Sequence, residues 1–237
     1  MYQLFIGNKN YSTWSMRPWI LLKQAGIPFQ EHLIQFDGLE PNSQFKIEIS
    51  KLNPTGKVPI LVDDDLIIWD SLAICEYIAE QSPEKNLLPQ DKKLRARARC
   101  ISAEMHSSFQ TLRNLCPMNV EADLAHIGQQ LWAEHAQLRA DVARIDQIWS
   151  ERPNEDGFLC GEFSLADAFY APVAMRFECF KLPISVSSQA YVEKILSLSS
   201  VQQWMTEAKQ EQMFVAFDEP YRTHREEFLK DSKYNQK

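Results

Sequence analysis

Short apolar runs and amphipathic segments alternate through the first third of the chain. The runs are typical of strands, and the segments with apolar residues at every third or fourth position are typical of helices. Their order predicts strand, helix, strand, helix, strand, strand, helix at residues 2–6, 16–25, 29–36, 43–52, 58–62, 66–69 and 71–81. One connection must be a right-handed crossover between parallel strands, whereas the last two strands form an antiparallel hairpin. The sequence therefore predicts a mixed four-stranded sheet.

A second pattern begins after Ser82-Pro83, which ends the last of these helices. Apolar positions then recur at helical spacing and predict only helices, at roughly 91–115, 122–150, 164–180, 190–197 and 199–210. We predict an α/β domain at 1–82, a linker at 83–90 and an all-helical domain at 91–237. The polar end, residues 228–237, is expected to fray.

Composition and charge disfavour several classes of function. The 237 residues carry a net charge of −7, spread evenly along the chain, which disfavours nucleic-acid binding. No apolar run reaches the length of a membrane span and no signal peptide precedes the first strand, so we expect no membrane contact. The five cysteines lack the spacing of a zinc or disulfide motif, and the histidines form no ligand pair. This pattern favours a cytoplasmic protein without a metal.

Two segments of the first domain carry the candidate chemistry. Pro59 stands at the start of an apolar run, where a proline fits the beginning of a strand and can adopt a cis peptide bond. A cis bond would turn the backbone N–H and C=O of Val58 outward, free to pair with another backbone. Asp70 and Ser71 stand at the start of an apolar helix, and a helix N-terminus binds anions. Together these segments could hold a small peptide by its backbone and its carboxylate.

These features, in this order, resemble the cytosolic glutathione transferases over essentially the whole chain. The resemblance also includes Leu88-Pro89 in the linker and a Ser-x-x-Asp capping box within residues 161–167. It implies a thioredoxin-like α/β N-terminal domain with a mixed four-stranded sheet, followed by an all-α helical bundle. It further implies a cytoplasmic homodimer that acts in detoxification and uses glutathione as its co-substrate.

The resemblance assigns the glutathione site residue by residue. Val58 would pair through its backbone with the cysteinyl part, beside a cis Pro59. The hydroxyl of Ser71 and the helix N-terminus would take the γ-glutamyl carboxylate. Asp70 would face the amino group, although its side chain is shorter than the Glu of many relatives. The candidates for the glycine carboxylate are Lys57 and, second, Lys46.

The catalytic group is expected in the loop before the first helix, at residues 10–17. Serine-type relatives, the tau and zeta classes among them, carry a Ser five residues before an Arg, and Ser12 has this position relative to Arg17. The resemblance is therefore to a bacterial, serine-type member, with Tyr11 and Thr13 as alternatives. A hydroxyl that donates to sulfur favours the nucleophilic thiolate and lowers the thiol pKa by roughly one to two units.

The resemblance implies that glutathione attacks a small, hydrophobic electrophile between the two domains. The residues expected near this second substrate are Trp14, Met105, Phe109 and Arg113. A glutathione-dependent cis–trans isomerase of the maleylacetoacetate type is one alternative, which Trp14 disfavours because zeta-class enzymes carry Cys there. A non-catalytic relative that binds ligands or partners is the other alternative, and the intact glutathione positions count against it.

Overall fold

The computed structural model describes residues 1–230. Its N-terminal part contains β1 (Tyr2–Ile6), α1 (Thr13–Ala25), β2 (Phe29–Leu33), α2 (Gln44–Leu52), β3 (Ile60–Asp63), β4 (Leu66–Trp69) and α3 (Ser71–Gln81). The strands form one sheet in the order β2-β1-β3-β4, with β1 parallel to β2 and β3 antiparallel to both of its neighbours. The mixed four-stranded sheet predicted from the sequence is confirmed. Residues 231–237, most of the segment predicted to fray, lie outside the described residues.

Helix α1 begins at Thr13 rather than at residue 16, where the hydrophobic pattern places its start. Ser12 is the N-cap residue, and its carbonyl accepts the N–H of Met16 at 3.1 Å. The pattern misses the first turn because Thr13 and Ser15 are polar, yet both are buried. Gly26 ends the helix in the left-handed conformation that glycine adopts without steric cost. The early start brings the hydroxyls of the loop to the positive end of the helix.

The C-terminal part is a bundle around one buried helix. Its helices are α4 (Lys92–Ser107), α5 (Gln110–Leu115), α6 (Ala125–Glu134), α7 (Ala136–Ser150), α8 (Leu165–Phe180), α9 (Val186–Ser197) and α10 (Ser199–Glu211). Helix α8 is buried along nearly its whole length, and α1 packs against both α8 and α10. A thioredoxin-like sheet domain is therefore packed against an all-helical domain. None of the helices within residues 1–230 is long and apolar enough to cross a membrane.

The first two helices predicted for the C-terminal part are each broken in two. The backbone leaves the helix at Phe109, which has a φ of 59°, and at His135, which is extended. At both breaks an arginine donates to two carbonyls at the end of the preceding helix, Arg113 in the first case and Arg139 in the second. Hydrophobic spacing does not reveal such breaks, because polar side chains stabilise them.

The capping box predicted within residues 161–167 begins α8. The buried carboxylate of Asp167 accepts the N–H of Ser164 at 2.9 Å, the N–H of Leu159 at 3.0 Å and the hydroxyl of Tyr191 at 3.0 Å. Burial raises the pKa of Asp167 to about 6. This carboxylate thus joins three segments of the bundle, which is a structural role.

Candidate functional site

A cleft between the sheet domain and the helical domain contains two adjoining cavities. The sheet-side cavity, of about 620 Å³, is lined by residues that include Thr55, Pro59, Trp69, Asp70, Ser71 and His106. The helix-side cavity, of about 470 Å³, is lined by residues that include Tyr11, Ser12, Thr13, Lys46, Arg176 and Asp218. Four residues line both cavities: Trp14, Lys57, Val58 and Arg113. The cavities therefore meet at these four residues.

The peptide bond between Val58 and Pro59 is cis, at the entry to β3. The preceding loop is held by Asn53, whose side-chain amide donates to the Lys57 carbonyl at 3.1 Å and accepts the Thr55 N–H at 2.7 Å. Within residues 1–230, no hydrogen bond uses the N–H or C=O of Val58. This backbone is thus available to a peptide lying in the cleft.

Helix α3 begins at the bottom of the sheet-side cavity. Asp70 is its N-cap residue and has a φ of 74°, a conformation rare outside glycine. One carboxylate oxygen of Asp70 accepts the N–H of Leu72 at 2.8 Å and that of Ala73 at 3.4 Å. The other oxygen lies 3.3 Å from Nε2 of His106. Asp70 therefore both caps the helix and presents negative charge at the cavity wall.

His106 of α4 forms the wall opposite Asp70. Its ring meets the Trp14 ring edge-on, with 5.3 Å between centroids. Burial lowers the pKa of His106, and the charges of Arg17 and Arg113 act in the same direction, whereas Asp70 opposes them. Within residues 1–230, His106 therefore has a packed position with a polar contact from its ring to Asp70.

A buried guanidinium stands behind the start of α3. Arg17 is 1% exposed and lies between the rings of Trp14, at 4.2 Å, and Phe169, at 4.6 Å. Its Nη1 donates to the Ser71 hydroxyl at 3.3 Å, and its Nε has no partner among residues 1–230. Burial lowers the pKa of Arg17 to about 9, so the group stays charged at neutral pH. Positive charge therefore lies close to the hydroxyl expected to bind a carboxylate.

Two serines of the loop form a hydrogen-bonded pair. The hydroxyl oxygens of Ser12 and Ser15 are 2.7 Å apart, and both residues are buried. The oxygen of Ser15 also accepts the N–H of Gly7 at 3.2 Å. Ser12 is the donor and Ser15 the acceptor in this pair. A hydroxyl proton can rotate, so Ser15 can instead donate to Ser12 and leave the Ser12 proton free. Ser12 can then donate into the helix-side cavity, which it lines.

The Tyr11 hydroxyl is engaged elsewhere. It donates to a carboxylate oxygen of Glu219 at 2.7 Å and accepts the N–H of Val215 at 3.3 Å. Burial and the charge of Glu219 raise the pKa of Tyr11 well above its ordinary value. Because its single proton is committed to a carboxylate, Tyr11 is a poorer donor to sulfur than Ser12. Thr13 also lines the helix-side cavity.

The two lysines expected at the glycine end both line the helix-side cavity. Lys46 donates from Nζ to the Gly56 carbonyl at 2.6 Å, which fastens α2 to the loop before β3. Lys57 lines both cavities, next to Val58. The structure therefore brings these lysines together with the other residues predicted for the glutathione site.

The predicted second-substrate residues separate into two groups. Trp14 and Arg113 line the cleft, whereas Met105 and Phe109 are buried in the core and line neither cavity. The break after α4 explains the difference for Phe109, because its left-handed backbone turns the chain at this point. The continuous helix predicted at 91–115 would carry Met105, Phe109 and Arg113 together.

Sequence reasoning missed three residues of the cleft region. In the sequence, Arg17 is used only as the reference position that identifies Ser12. In the structure its guanidinium contacts Ser71. Arg176 and Asp218 line the helix-side cavity from distant parts of the chain. The sequence contains one signal for Arg176, an arginine within the mostly apolar α8. No local signal marks Asp218.

Comparisons with known proteins agree in one family. The family described as "Glutathione S-transferase, N-terminal domain" matches residues 11–81. Glutathione S-transferase 1 of Dianthus caryophyllus is 33% identical over 172 residues, which cover 72% of this chain and 74% of the relative. Maleylacetoacetate isomerase of Rattus norvegicus is 34% identical over 178 residues, which cover 73% of this chain and 78% of the relative.

A solved structure shares the fold. It is a glutathione transferase homolog from Burkholderia gl BGR1 with bound glutathione, and it superposes with a TM-score of 0.63 at 23% identity. The superposition covers 88% of this chain and 98% of the homolog. At this identity the likeness supports the two-domain fold alone.

Proposed function

This chain belongs to the glutathione S-transferase family, and on that basis we propose that it binds glutathione across the two cavities and transfers it to an electrophile. The observation that carries the proposal is the position of Val58. It lines both cavities beside a cis peptide bond, and its backbone has no hydrogen bond within residues 1–230. A cysteinyl residue paired there would have its sulfur at the junction with the helix-side cavity, which Ser12 lines.

The two ends of glutathione would be bound by opposite charges. In this proposal the γ-glutamyl carboxylate binds the hydroxyl and the N–H of Ser71 at the start of α3, with the charge of Arg17 behind them. Asp70 faces the γ-glutamyl amino group with the carboxylate oxygen that also meets His106. The glycine carboxylate lies toward Lys57, with Lys46 as the second candidate.

Ser12 would activate the thiol as a hydrogen-bond donor. The Ser12 hydroxyl donates to Ser15 when the cleft is empty. With glutathione bound it would rotate to donate to the sulfur, and Ser15 would then donate to Ser12, which favours the thiolate. A hydrogen bond to a charged group contributes about 1.5–3 kcal/mol, which corresponds to a thiol pKa lowered by roughly one to two units. The sulfur lone pair then forms the bond to the electrophilic carbon, and the leaving group departs with the bonding electrons. Ser12 forms no covalent bond in this scheme.

Isomerisation is the second candidate function, favoured by the similarity to the maleylacetoacetate isomerase of Rattus norvegicus. In that reaction the thiolate would add to a double bond of the substrate and leave again after rotation, so glutathione would be regenerated. The two functions differ in whether the product retains the glutathionyl group. Mass spectrometry of the products distinguishes them.

We further propose that the protein is a homodimer. Leu66, Ile67 and Trp69 expose apolar surface on β4, beside an apolar groove that continues along α3. Contiguous apolar surface of this kind is typical of protein interfaces. Arg99 of the neighbouring α4 is bound to Glu76 of the same chain at 3.1 Å, so this arginine is already paired within one copy.

A cytoplasmic location remains our proposal. All five cysteines are free thiols, and four of them are buried: Cys75, Cys116, Cys160 and Cys179. Free buried thiols are common in proteins of reducing compartments. Detoxification is likewise proposed from the family.

Calorimetric titration with glutathione, together with the ultraviolet absorbance of the bound thiolate across pH, tests the proposed function. The parent protein, Ser12→Ala and Tyr11→Phe are compared, with the exposed Ser107→Ala as the matched control. We expect all four to bind glutathione and only Ser12→Ala to raise the thiol pKa, by roughly one to two units. A raised pKa in Tyr11→Phe instead would transfer the role to Tyr11. No binding by the parent at millimolar glutathione would favour a non-catalytic relative.

A further inference from the structure

The helix-side cavity is positively charged within an acidic protein. The chain has a net charge of −7, yet the ionised side chains that line this cavity are four cations and one anion. The cations are Lys46, Lys57, Arg113 and Arg176, and the anion is Asp218. The lysines lie where the glycine end of glutathione is proposed to bind. The two arginines have no role in the proposed binding of glutathione itself.

Arg113 is half-buried and has donors to spare. Its Nη1 donates to the carbonyls of His106, at 3.2 Å, and Ser108, at 3.4 Å, and its guanidinium stacks on the Trp14 ring at 4.7 Å. Its Nε and Nη2 make no hydrogen bond with any residue in 1–230. No carboxylate within that range lies at ion-pair distance from it. The Arg113 side chain is thus fixed in position while its other two nitrogens stay available.

Arg176 is more deeply buried than Arg113, at 6% exposure, and it also lacks an acidic partner at ion-pair distance within the described chain. Its Nη1 donates to the carbonyls of Arg113 and Cys116, which ties α8 to α5. Burial lowers its pKa to about 10, the charge of Arg113 adds to this effect, and Asp218 opposes it. Burying a cation without a paired anion is costly, so two such arginines at one cavity indicate an anion supplied from outside.

We propose that the second substrate carries a carboxylate, which Arg113 and Arg176 bind while the electrophilic carbon meets the glutathione sulfur near Ser12 and Val58. A guanidinium presents two parallel N–H donors that match the two oxygens of a carboxylate. Apolar side chains of the same cavity, Phe36, Met118 and Phe217, contact the rest of the substrate. This inference rests on the proposed function and replaces the purely hydrophobic electrophile expected from the sequence with an organic acid.

A pair of glutathione conjugates tests the inference. S-carboxyethyl-glutathione carries the carboxylate on the sulfur substituent, and S-carbamoylethyl-glutathione replaces it with a neutral amide of the same shape. Calorimetry measures the affinity of both for the parent protein. We expect the acid to bind about tenfold more tightly than the amide, because a hydrogen bond to a charged group exceeds a neutral one by about this factor. Equal affinities would overturn the proposal.

Two variants test which residue gives the preference for the acid over the amide. Arg113→Gln should remove the preference for the acid, whereas Arg139→Gln should retain it. Arg139 is the matched control because its guanidinium also donates to two carbonyls at a helix end, and it lines neither cavity. An acid preference that persists undiminished in folded Arg113→Gln would remove Arg113 from the carboxylate site and contradict the proposed pair of arginines. Should Arg113→Gln fail to fold, the comparison of acid and amide in the parent still decides whether the cavity selects an anion.

The same titrations separate this inference from the proposed function. Glutathione itself is titrated alongside the two conjugates. If neither glutathione nor any conjugate binds, the proposed function fails. If glutathione binds and the two conjugates bind equally, only the carboxylate inference fails.

Discussion

The hydroxyl oxygens of Ser12 and Ser15 lie 2.7 Å apart at the start of α1, and the Ser15 oxygen also accepts the N–H of Gly7. Ser15 is fully buried and separate from both cavities, whereas Ser12 lines the helix-side cavity. The pair therefore forms a short chain of hydrogen bonds from the β1–α1 loop to the cleft. Ser15 is a positioning residue in this arrangement, since it acts on the sulfur only through Ser12.

Ser15→Ala should raise the pKa of bound glutathione, but by less than Ser12→Ala. Loss of the Ser15 hydroxyl leaves Ser12 without its hydrogen-bond partner and free to rotate, while its own proton remains. The ultraviolet absorbance of the thiolate across pH measures the shift, and the double variant should shift no further than Ser12→Ala alone. An unchanged pKa in folded Ser15→Ala would show that Ser12 needs no such partner.

Asp70→Asn should weaken glutathione binding about tenfold or more, because the γ-glutamyl amino group loses a charged acceptor. Asn tolerates the positive φ of Asp70 and still caps the helix, so the stability of the fold should change little. The matched control is Asp91→Asn, since Asp91 caps α4 through the same two contacts, to the N–H groups of Lys93 and Leu94. Calorimetry gives the affinities, and equal effects of the two variants would remove Asp70 from the site.

The affinity for S-carboxyethyl-glutathione should fall as the pH rises through about 6. Burial raises the pKa of Asp218 to about 6, with Glu219 acting in the same direction and Arg176 opposing it. Below this pH Asp218 is neutral, and above it the ionised carboxylate repels the bound anion in the same cavity. Titrations between about pH 5 and pH 7.5 keep the ligand carboxylate ionised.

The amide conjugate and Asp218→Asn serve as controls for this pH dependence. The amide carries no charge at the position of the carboxylate, so its affinity should vary little over the same range. Asp218→Asn should bind the acid with the same affinity at both ends of the range. A fall in affinity that persists in this variant would assign the titration to another group.

Ile67→Glu should convert the proposed dimer into a monomer. The change places a charge within the exposed apolar surface of β4, where a partner copy would have to bury it. Val186→Glu, at the highly exposed start of α9, is the control and should leave the assembly unchanged. Sedimentation equilibrium measures both, and a parent protein that sediments as a monomer would contradict the proposed dimer.

The features that the sequence predicted well are local. Pro59 and the Asp70-Ser71 pair mark a strand entry and a helix start because these residue types restrict the backbone at their own positions. The order of strands and helices follows from the period of apolar residues, and the mixed character of the sheet follows from one parallel crossover and one antiparallel hairpin. Breaks at Phe109 and His135 escaped prediction, because arginine side chains from later turns stabilise them.

What the sequence by itself determined is thus the two-domain fold, the cis-proline entry to β3 and the capped start of α3. Only the tertiary structure decided which side chains share the cleft. It buried Met105 and Phe109 in the core, engaged Tyr11 with Glu219, and brought Arg176 and Asp218 to the cavity that Ser12 lines. Some of these relationships join residues more than a hundred positions apart in the chain, as for Tyr11 and Glu219. Others depend on which way a helix faces. Packing between distant elements fixes them, and no local pattern carries that information.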